Sequence, residues 1–394
     1  MPDPQLPPPL MTSEPGSFAR ETILERKPQI IRQVIADNQY PLDVVARLNE
    51  FAAEIAHQSI QPVRELTPDA AFWNQALAQY KGATWLEVPW YFAETYFYRR
   101  LLESVGYFQP GEWHKHDPFG KQKHSQMDAD LEDFASEWDS FTNIESTQAF
   151  EGLLHSCLWG NRGDLSNFTV KERAKGGLET SSERQNILID DTSRIQRFLA
   201  RGLGHVDLVT DNVGKELLFD LVLASFLIDH GWVKQVTFRL KDRPFFVSDA
   251  SIADLRFTLK GLQISTHLPV QRLGEHLAEL IARDTIQLKD HFFFTSCLAY
   301  PELPPDLWED FASSDLVILK GDVNYRRILS DRHWPHNTPM KEAAAYFPTS
   351  FLTLRTLKGE IMVGLQPGQA EKLAAADPGW LINGRRGIIQ FVKK

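Results

Sequence analysis

The sequence predicts an α/β protein: an α/β/α, Rossmann-like core with a mostly parallel sheet, preceded by an all-helical region. Three observations predict it. From residue 187 onward, short apolar runs alternate with amphipathic helical stretches, the pattern of a parallel sheet covered on both faces. Up to about residue 165 the apolar residues recur at helical spacing and no clear strand is visible. Between the two halves, residues 162–184 are polar and rich in Gly, Ser and Lys, as at a domain junction. The expected division is a Pro-rich tail over 1–16, a helical domain over 17–165 and an α/β/α catalytic domain over 185–394.

Prolines at 2, 4, 7, 8, 9 and 15 deny the tail a helix or strand, so it is expected to be disordered or extended. Ser17 to Asn38 reads as helical, broken at Lys27-Pro28, with Ile30, Ile31, Val34 and Ile35 on one face. Pro41 to His57 carries the stripe Val44, Val45, Leu48, Phe51, Ala52 and Ile55. Asp69 to Tyr80 is a third helix, with Asp69 as its N-cap. Trp85 to Ser104 is aromatic on nearly every side, hence buried, and its Glu94, Arg99 and Arg100 must form internal ion pairs or point into a cleft. Residues 105–125 read as loop, and Met127 to Trp138 and Ser146 to Trp159 as helices. Trp159-Gly160-Asn161 closes the last with residue types that suit a left-handed cap.

In the second half, Ile187 to Asp191 is a short extended piece and Thr192 to Ala200 a helix capped by Thr192. Val206-Asp207-Leu208-Val209-Thr210 reads as a buried strand, followed by Asp211-Asn212 and a helix from Glu216 to Ile228. Val233 to Leu240 is a second strand, and Phe245 to Ser248 reads as another, ending on Asp249. Ser251 to Leu262 and Leu268 to Arg283 are helices, residues 284–304 a loop, and Pro305 to Ser313 a short helix. Leu316 to Lys320 is a strand ending in Gly321-Asp322, and Phe351 to Lys358 one ending in two cations, Arg355 and Lys358. Gln369 to Ala376 is a helix and Gly387 to Val392 a final strand.

Ligands of open α/β sheets bind outside the carboxyl ends of parallel strands, so Asp211, Asn212 and Asp249 can meet at one point. Three side-chain oxygens there suit a hard divalent cation such as Mg²⁺ or Mn²⁺. The competing reading makes Asp-Asn a turn or an N-cap. Acids at some strand ends and cations at another are what a phosphate ester asks for, since Arg grips phosphate bidentately and Lys acts as a point charge. For Arg355 and Lys358 the plainer reading is a solvated strand end.

Composition sets the wider bounds. The 394 residues are 43% hydrophobic and 24% charged, ordinary for a globular protein with a real core. A net charge of −10 argues against non-specific binding to nucleic acid or anionic membrane. Two cysteines, Cys157 and Cys297, fit a reducing, cytoplasmic setting. No apolar run is long enough to span a bilayer, and no signal-peptide pattern opens the chain. A monomer or weak oligomer is expected. Phosphate-loop, HExxH and GxSxG patterns are missing. His114 with His116, and His333 with His336, read as loop histidines because no further ligand pattern surrounds them.

The chain resembles the damage-control phosphatase family, in the subgroup marked by Arg-Thr-x-Lys, here Arg355-Thr356-Leu357-Lys358. The resemblance also rests on Ser17-Phe18-Ala19 with Arg26 and Pro28, Glu94 with Tyr98-Arg99-Arg100, and Leu158-Trp159-Gly160-Asn161. Further along it rests on Asp211-Asn212 with Gly214 and Glu216, Val247-Ser248-Asp249, the run from Lys320 to Arg326, and Val363 to Gly368. It implies a divalent metal on Asp211, Asn212 and Asp249, commonly Mn²⁺, Co²⁺ or Ni²⁺. It implies hydrolysis of sugar phosphates such as fructose 1-phosphate and fructose 6-phosphate, removing glycating metabolites.

On this resemblance Asp211, Asn212, Asp249 and Lys358 are catalytic, and Lys358 and Arg355 bind phosphate. Lys320, Gly321, Asp322, Asn324 and Glu216 line the substrate, with Glu94, Arg26 and Asn161 reaching it from the helical side. One departure stands out: Val213 occupies the place of a small residue and either narrows the pocket or faces the core. The family also carries the label of an S-adenosylmethionine-dependent carboxyl methyltransferase. The single glycine in Asp211-Asn212-Val213-Gly214 argues against that, since a nucleotide-type cofactor normally sits on a glycine-rich first turn. A non-enzymatic scaffold is a third reading, weakened by the acids and cations at successive strand ends.

Overall fold

Proline fixes φ and removes an N–H, so residues that cannot join a helix or ladder must lie along a neighbour that satisfies them. The computed structural model describes residues 6–138, 146–160 and 185–394, and its N-terminal segment does this. Of the two forms expected for the tail, the stretch from Pro9 to Met11 takes the extended one, bridging Arg332 and Pro89, and residues 12–16 turn. Leu10 N donates to Asp331 O at 2.9 Å, Trp90 N donates to Leu10 O at 2.8 Å, and Leu10 and Thr12 are fully buried.

Helices follow: α1 (Phe18–Glu21), a π-helical turn (Thr22–Arg26), α2 (Lys27–Asp37), α3 (Leu42–His57), α4 (Ala70–Ala78) and α5 (Trp90–Ser104). Then come α6 (Gly120–Trp138) and α7 (Ser146–Trp159). The expected break at Lys27-Pro28 is absent. The wider π turn ahead of Pro28 accommodates its missing N–H, and the helix runs on. Helix α6 also starts at Gly120, inside the loop expected over 105–125. Asp69 precedes α4 as expected but caps nothing. Its carboxylate is taken by Arg99 at 2.8 Å and Arg243 at 2.7 Å. The charges of α5 are paired internally: Glu94 with Lys27, Arg99 with Asp69, and Arg100 with Glu54 at 3.0 Å.

The rest alternates: β1 (Ile187–Asp190), α8 (Thr192–Leu199), β2 (Leu203–Val209), α9 (Lys215–Asp229), β3 (Val233–Leu240), α10 (Ile252–Gln263), α11 (Leu268–Ala282) and β4 (Ile286–Asp290). After two 3₁₀ turns come α12 (Pro305–Ala312), β5 (Leu316–Lys320), α13 (Gly321–Ile328), α14 (Met340–Ala343), β6 (Phe351–Thr356), α15 (Gln369–Ala376) and β7 (Gly387–Val392). The cap of α8 is Asp191 rather than Thr192.

The seven strands form one sheet in the order β1-β7-β6-β5-β2-β3-β4. From β6 to β4 every neighbour is parallel, while β7 runs antiparallel to β6 and β1 parallel to β7. The expected α/β architecture with a mostly parallel sheet is what the chain forms. Two strand assignments need correction. Phe245–Ser248 is a turn, not a strand: Phe246 and Val247 have φ of 46° and 65°, which no ladder permits. Conversely β4 lies inside the expected loop over 284–304. Its IQLKD sequence alternates, and an edge strand with a half-buried, half-exposed pattern gives a weak apolar signal.

Chain order leaves β2 toward β3 and β4, then returns to the other side of β2 for β5 and β6. The point between β2 and β5 is therefore a topological switch point, where the loops at the carboxyl ends diverge and leave a crevice. The all-buried runs in β5, β6 and β7 show a sheet covered on both faces there. The N-terminal helices close over this crevice. Arg327 of α13 donates to Phe294 O at 2.9 Å and Ser296 O at 3.0 Å and to the Tyr91 hydroxyl, and Arg326 lies 4.0 Å over the Trp90 ring. Among the described residues no helix is long and apolar enough to cross a membrane.

Candidate active site

A cavity of about 170 Å³ sits in the crevice, lined from the sheet by Asp211, Asn212, Glu216, Asp249, Gly321, Asp322, Thr356 and Lys358. From the helical side it is lined by Phe18, Arg26, Trp90 and Glu94. Asp211 and Asn212 follow β2 after a single residue, Thr210. Asp249 reaches them by backbone pairing: Ala250 N donates to Asp211 O at 2.9 Å and Val213 N to Ser248 O at 2.8 Å, so Asn212 and Asp249 form an antiparallel bridge. The turn delivering Asp249 holds two successive non-glycine residues at positive φ, a strain of order 1–3 kcal/mol per residue. It is held by Phe246 stacked on Tyr98 at 5.1 Å and by Ser248 Oγ donating to Asn212 Oδ1 at 2.6 Å.

The acids on this wall are short of positive charge. Burial pushes the Asp211 carboxyl well above its ordinary value, and Glu216 and Asp249 add to it more than Lys241 and Lys358 offset. Burial also raises Asp249, against the pull of Lys241. Asp249 Oδ2 faces Lys241 Nζ at 3.1 Å but receives no well-aligned hydrogen bond among the described residues. Asn212 Nδ2 points to Asp211 Oδ2 at 2.8 Å and Glu216 Oε2 at 3.1 Å.

Among the described residues no three His, Cys, Asp or Glu side chains gather tightly enough to hold a metal by themselves. What is offered is two carboxylates and an amide, with an under-satisfied Asp249 oxygen. An all-oxygen set with unbalanced negative charge fits a hard divalent cation. The Asp-Asn pair is not an N-cap, since Gly214 holds the cap position of α9.

Gly321 explains how the second wall comes so close. Its φ is +79°, and a Cβ built there would lie 1.9 Å from Asp211 Oδ2. Only glycine lets the start of α13 reach the Asp211 carboxylate. Asp322, the next residue, is fixed by two guanidiniums: Arg355 Nε at 2.7 Å and Arg326 Nε at 2.6 Å. Burial alone would raise its carboxyl, but Arg355 and Arg326 outweigh it and bring the pKa to about 2. Asp322 is thus ionised, an acceptor only.

Several expected site residues lie elsewhere. Arg355, expected to grip phosphate, is fully buried and off the cavity. Its other nitrogens donate to Ile361 O and, at 3.1 Å, to Gly359 O, so its fork is committed to Asp322 and the chain beyond it. Lys320 is likewise buried behind the site, bonded to Cys157 O at 2.6 Å, Glu216 at 3.2 Å and Asp220 at 2.9 Å. Asn324 bonds Lys320 O at 2.8 Å and accepts from the Tyr300 hydroxyl at 3.2 Å, away from the cavity. Asn161 falls outside the described residues. Val213 faces the core, buried in the cluster under α9, and does not narrow the pocket.

Lys358 lines the cavity, and among the described residues its ammonium has no hydrogen bond or ion pair. Arg26 lines it similarly from the π turn, exposed. Glu94 does more than pair with Lys27, because its second oxygen, Oε2, has no hydrogen-bond partner among the described residues. Burial brings Lys27 down to about 8 despite Glu94, and the ammonium lies 4.5 Å from the centre of the Phe97 ring. Sequence reasoning missed Phe18, Trp90, Ser248 and Lys241. Ser248 adjoins Asp249 and Phe18 adjoins Ser17 in quoted motifs, but an apolar wall and a supporting hydroxyl have no chemical signature of their own.

The Damage-control phosphatase ARMT1-like domain model matches residues 22–373. The chain is 32% identical to Damage-control phosphatase ARMT1 of Danio rerio and 30% identical to that of Homo sapiens. These matches cover 95% of this chain and 95% and 96% of the relatives. In fold it is similar to a duf89 family protein from Pyrococcus horikoshii, with a TM-score of 0.51 at 16% identity over 94% of this chain and 96% of that one. The chain therefore belongs to the damage-control phosphatase ARMT1-like domain family.

Proposed function

We propose that this protein is a divalent-cation-dependent phosphatase of metabolite damage control, acting on small sugar phosphates such as fructose 1-phosphate or fructose 6-phosphate. The observation that carries the reading is the meeting of Asp211, Asn212, Asp249 and Lys358 in one small cavity. The names of its relatives support the phosphatase class.

A cation such as Mn²⁺, Co²⁺, Ni²⁺ or Mg²⁺ on Asp211, the Asn212 amide and Asp249 would polarise a phosphoryl oxygen and acidify water. The chain supplies the rest. Lys358 holds a phosphate oxygen as a point charge. The first amides of α13, at Gly321 to Val323, present the positive end of a helix dipole to the same group. Glu94 Oε2 and the ionised Asp322 accept hydroxyl hydrogens, which favours a polyol over a bare phosphate. Trp90, Phe18 and Phe246 exclude bulk water, strengthening each of these contacts.

The test is phosphate release from fructose 1-phosphate by chelator-treated protein, with each cation restored in turn. Activity should depend on the cation, and Asp249→Ala should lower it by about a thousandfold or more with the circular dichroism unchanged. Full activity in chelator, or in Asp249→Ala, would refute the reading. An S-adenosylmethionine-dependent transferase is disfavoured by the cavity of about 170 Å³, because drug-sized ligands take roughly 300–1,000 Å³. Micromolar calorimetric binding of S-adenosylmethionine without metal would restore it.

A further inference from the structure

Lys358 lines a second space as well as the candidate active-site cavity. Behind it lies an open groove of about 730 Å³ walled by Asn186, Asp377, Asn383, Gly384, Arg385 and Arg386. Its charged groups are three cations, Lys358, Arg385 and Arg386, against one carboxylate, in a chain of net charge −10. That carboxylate is already engaged: Asp377 accepts from Arg386 at 2.5 Å and from Asn383 at 2.9 Å. Arg385 is exposed, and among the described residues its guanidinium has no partner. The groove therefore holds positive charge that nothing in the described chain balances.

The two spaces are also held in register. The loop before β7 is tied to the residues flanking Lys358: Leu357 N donates to Arg386 O at 2.8 Å, Gly384 N to Leu357 O at 2.9 Å, and Gly359 N to Leu381 O at 3.1 Å. Gly384, at φ +69°, passes against the Lys358 side chain, where a Cβ would lie 3.7 Å from Lys358 Cε. So Arg385 and Arg386 are placed by backbone bonds beside a cation, Lys358, that also lines the first cavity.

We propose that this groove is a second anion subsite, and that the substrates it selects carry a second phosphate or carboxylate besides the phosphate removed. The proposal rests on the phosphatase reading for the position of the first phosphate. Lys358 would stand between the two anions, with Arg385 and Arg386 on the distal one. Guanidiniums suit that role because their fork matches a phosphate or carboxylate edge.

The test compares fructose 1-phosphate with fructose 1,6-bisphosphate as substrates of wild-type, Arg385→Gln and Arg385→Glu protein. In Arg385→Glu, kcat/KM for the bisphosphate should fall about tenfold, through KM, while the monophosphate stays within about twofold. Arg385→Gln should fall between. Equal changes for both substrates, or none, would overturn the proposal. Inhibition of monophosphate turnover by inorganic phosphate separates the two sources of the anion. An unchanged inhibition constant in Arg385→Glu keeps the groove for a substrate's second group, and a weakened one reassigns it to released phosphate. Should no cation support turnover of either sugar, the phosphatase reading fails by itself. Calorimetric titration with fructose 1,6-bisphosphate then decides the groove: weaker binding to Arg385→Glu retains it, and equal binding ends it.

Discussion

The two walls of the candidate active-site cavity follow opposite electrostatic rules. On the β2–β3 side, Asp211, Glu216 and Asp249 crowd together, and burial with mutual repulsion holds the Asp211 carboxyl far above its ordinary value. On the β5–β6 side, Asp322 lies between Arg326 and Arg355, and its carboxyl falls to about 2. Burial acts in the same direction on both walls, so the difference is in the partners. A carboxylate neutralised from within the chain needs no further cation. A wall left short of positive charge is where the proposed cation would complete the site.

The sharpest way to break this contrast is to push the walls apart. Gly321→Ala places a methyl group 1.9 Å from Asp211 Oδ2 at a φ of +79°, so either the carboxylate or the start of α13 must move. Catalytic geometry tolerates little displacement, and kcat should drop by roughly a thousandfold or more while the purified protein remains folded. Near-normal phosphate release would show that Asp211 is not held against α13 as described.

The second prediction separates two cations three residues apart. Arg355→Met removes a buried partner of Asp322 and should cost about 3 kcal/mol in denaturant unfolding, the usual result of breaking a buried ion pair. Lys358→Met should change stability by less than about 0.5 kcal/mol, since its ammonium holds nothing in place, yet lower kcat/KM about a hundredfold. If the two variants lose stability alike, Lys358 is structural too and the phosphate-binding role passes elsewhere.

This pair also shows how much the sequence could tell. Arg355 and Lys358 look equivalent as cations at a strand end, and no property of the motif says which is locked inside. The distinction comes from Ile361 and Gly359, whose carbonyls take the Arg355 fork, and from Asp322 in the first turn of α13. Asp211 and Asn212 were legible because β2 is a strong apolar run with acids directly after it. Asp249 was found for a partly wrong reason: an apolar Phe-Phe-Val read as a strand, although its apolarity serves packing against Tyr98 in the helical core. The parallel order was legible from alternation, but the reversal of β7 was not, since a buried strand reads the same in either direction. Glu94 was visible as a charge in an aromatic helix, while its orphaned Oε2 emerges only once Lys27 is seen to occupy the other oxygen.

The third prediction tests the neutralised wall by acid. The folded-state pKa of Asp322 is depressed, so its stabilisation is present above the unfolded value near 4 and is lost as pH falls through about 2. In chemical unfolding curves, wild-type protein should lose about 2 kcal/mol more than Asp322→Asn between pH 4 and pH 2. Parallel acid profiles would mean that Arg326 and Arg355 do not hold the carboxylate as described.

The smallest effect concerns the wall short of positive charge, and its sign is opposite. The Asp211 carboxyl is raised in the folded protein, so the folded state binds more protons than the unfolded chain above pH 4. Stability of the cation-free protein therefore falls as pH rises from the unfolded pKa toward the raised one. Asp211→Asn removes that repulsion while keeping the shape of the side chain. In chelator at pH 7 it should melt a few degrees higher than wild type, a gain of about 1 kcal/mol, while phosphate release is lost. Added Mn²⁺ should reverse the order, because binding to the native state stabilises wild type by mass action and the variant has lost a ligand. A variant that melts lower than wild type in chelator would show that Asp211 is already satisfied within the chain, and the two walls would then not differ in kind.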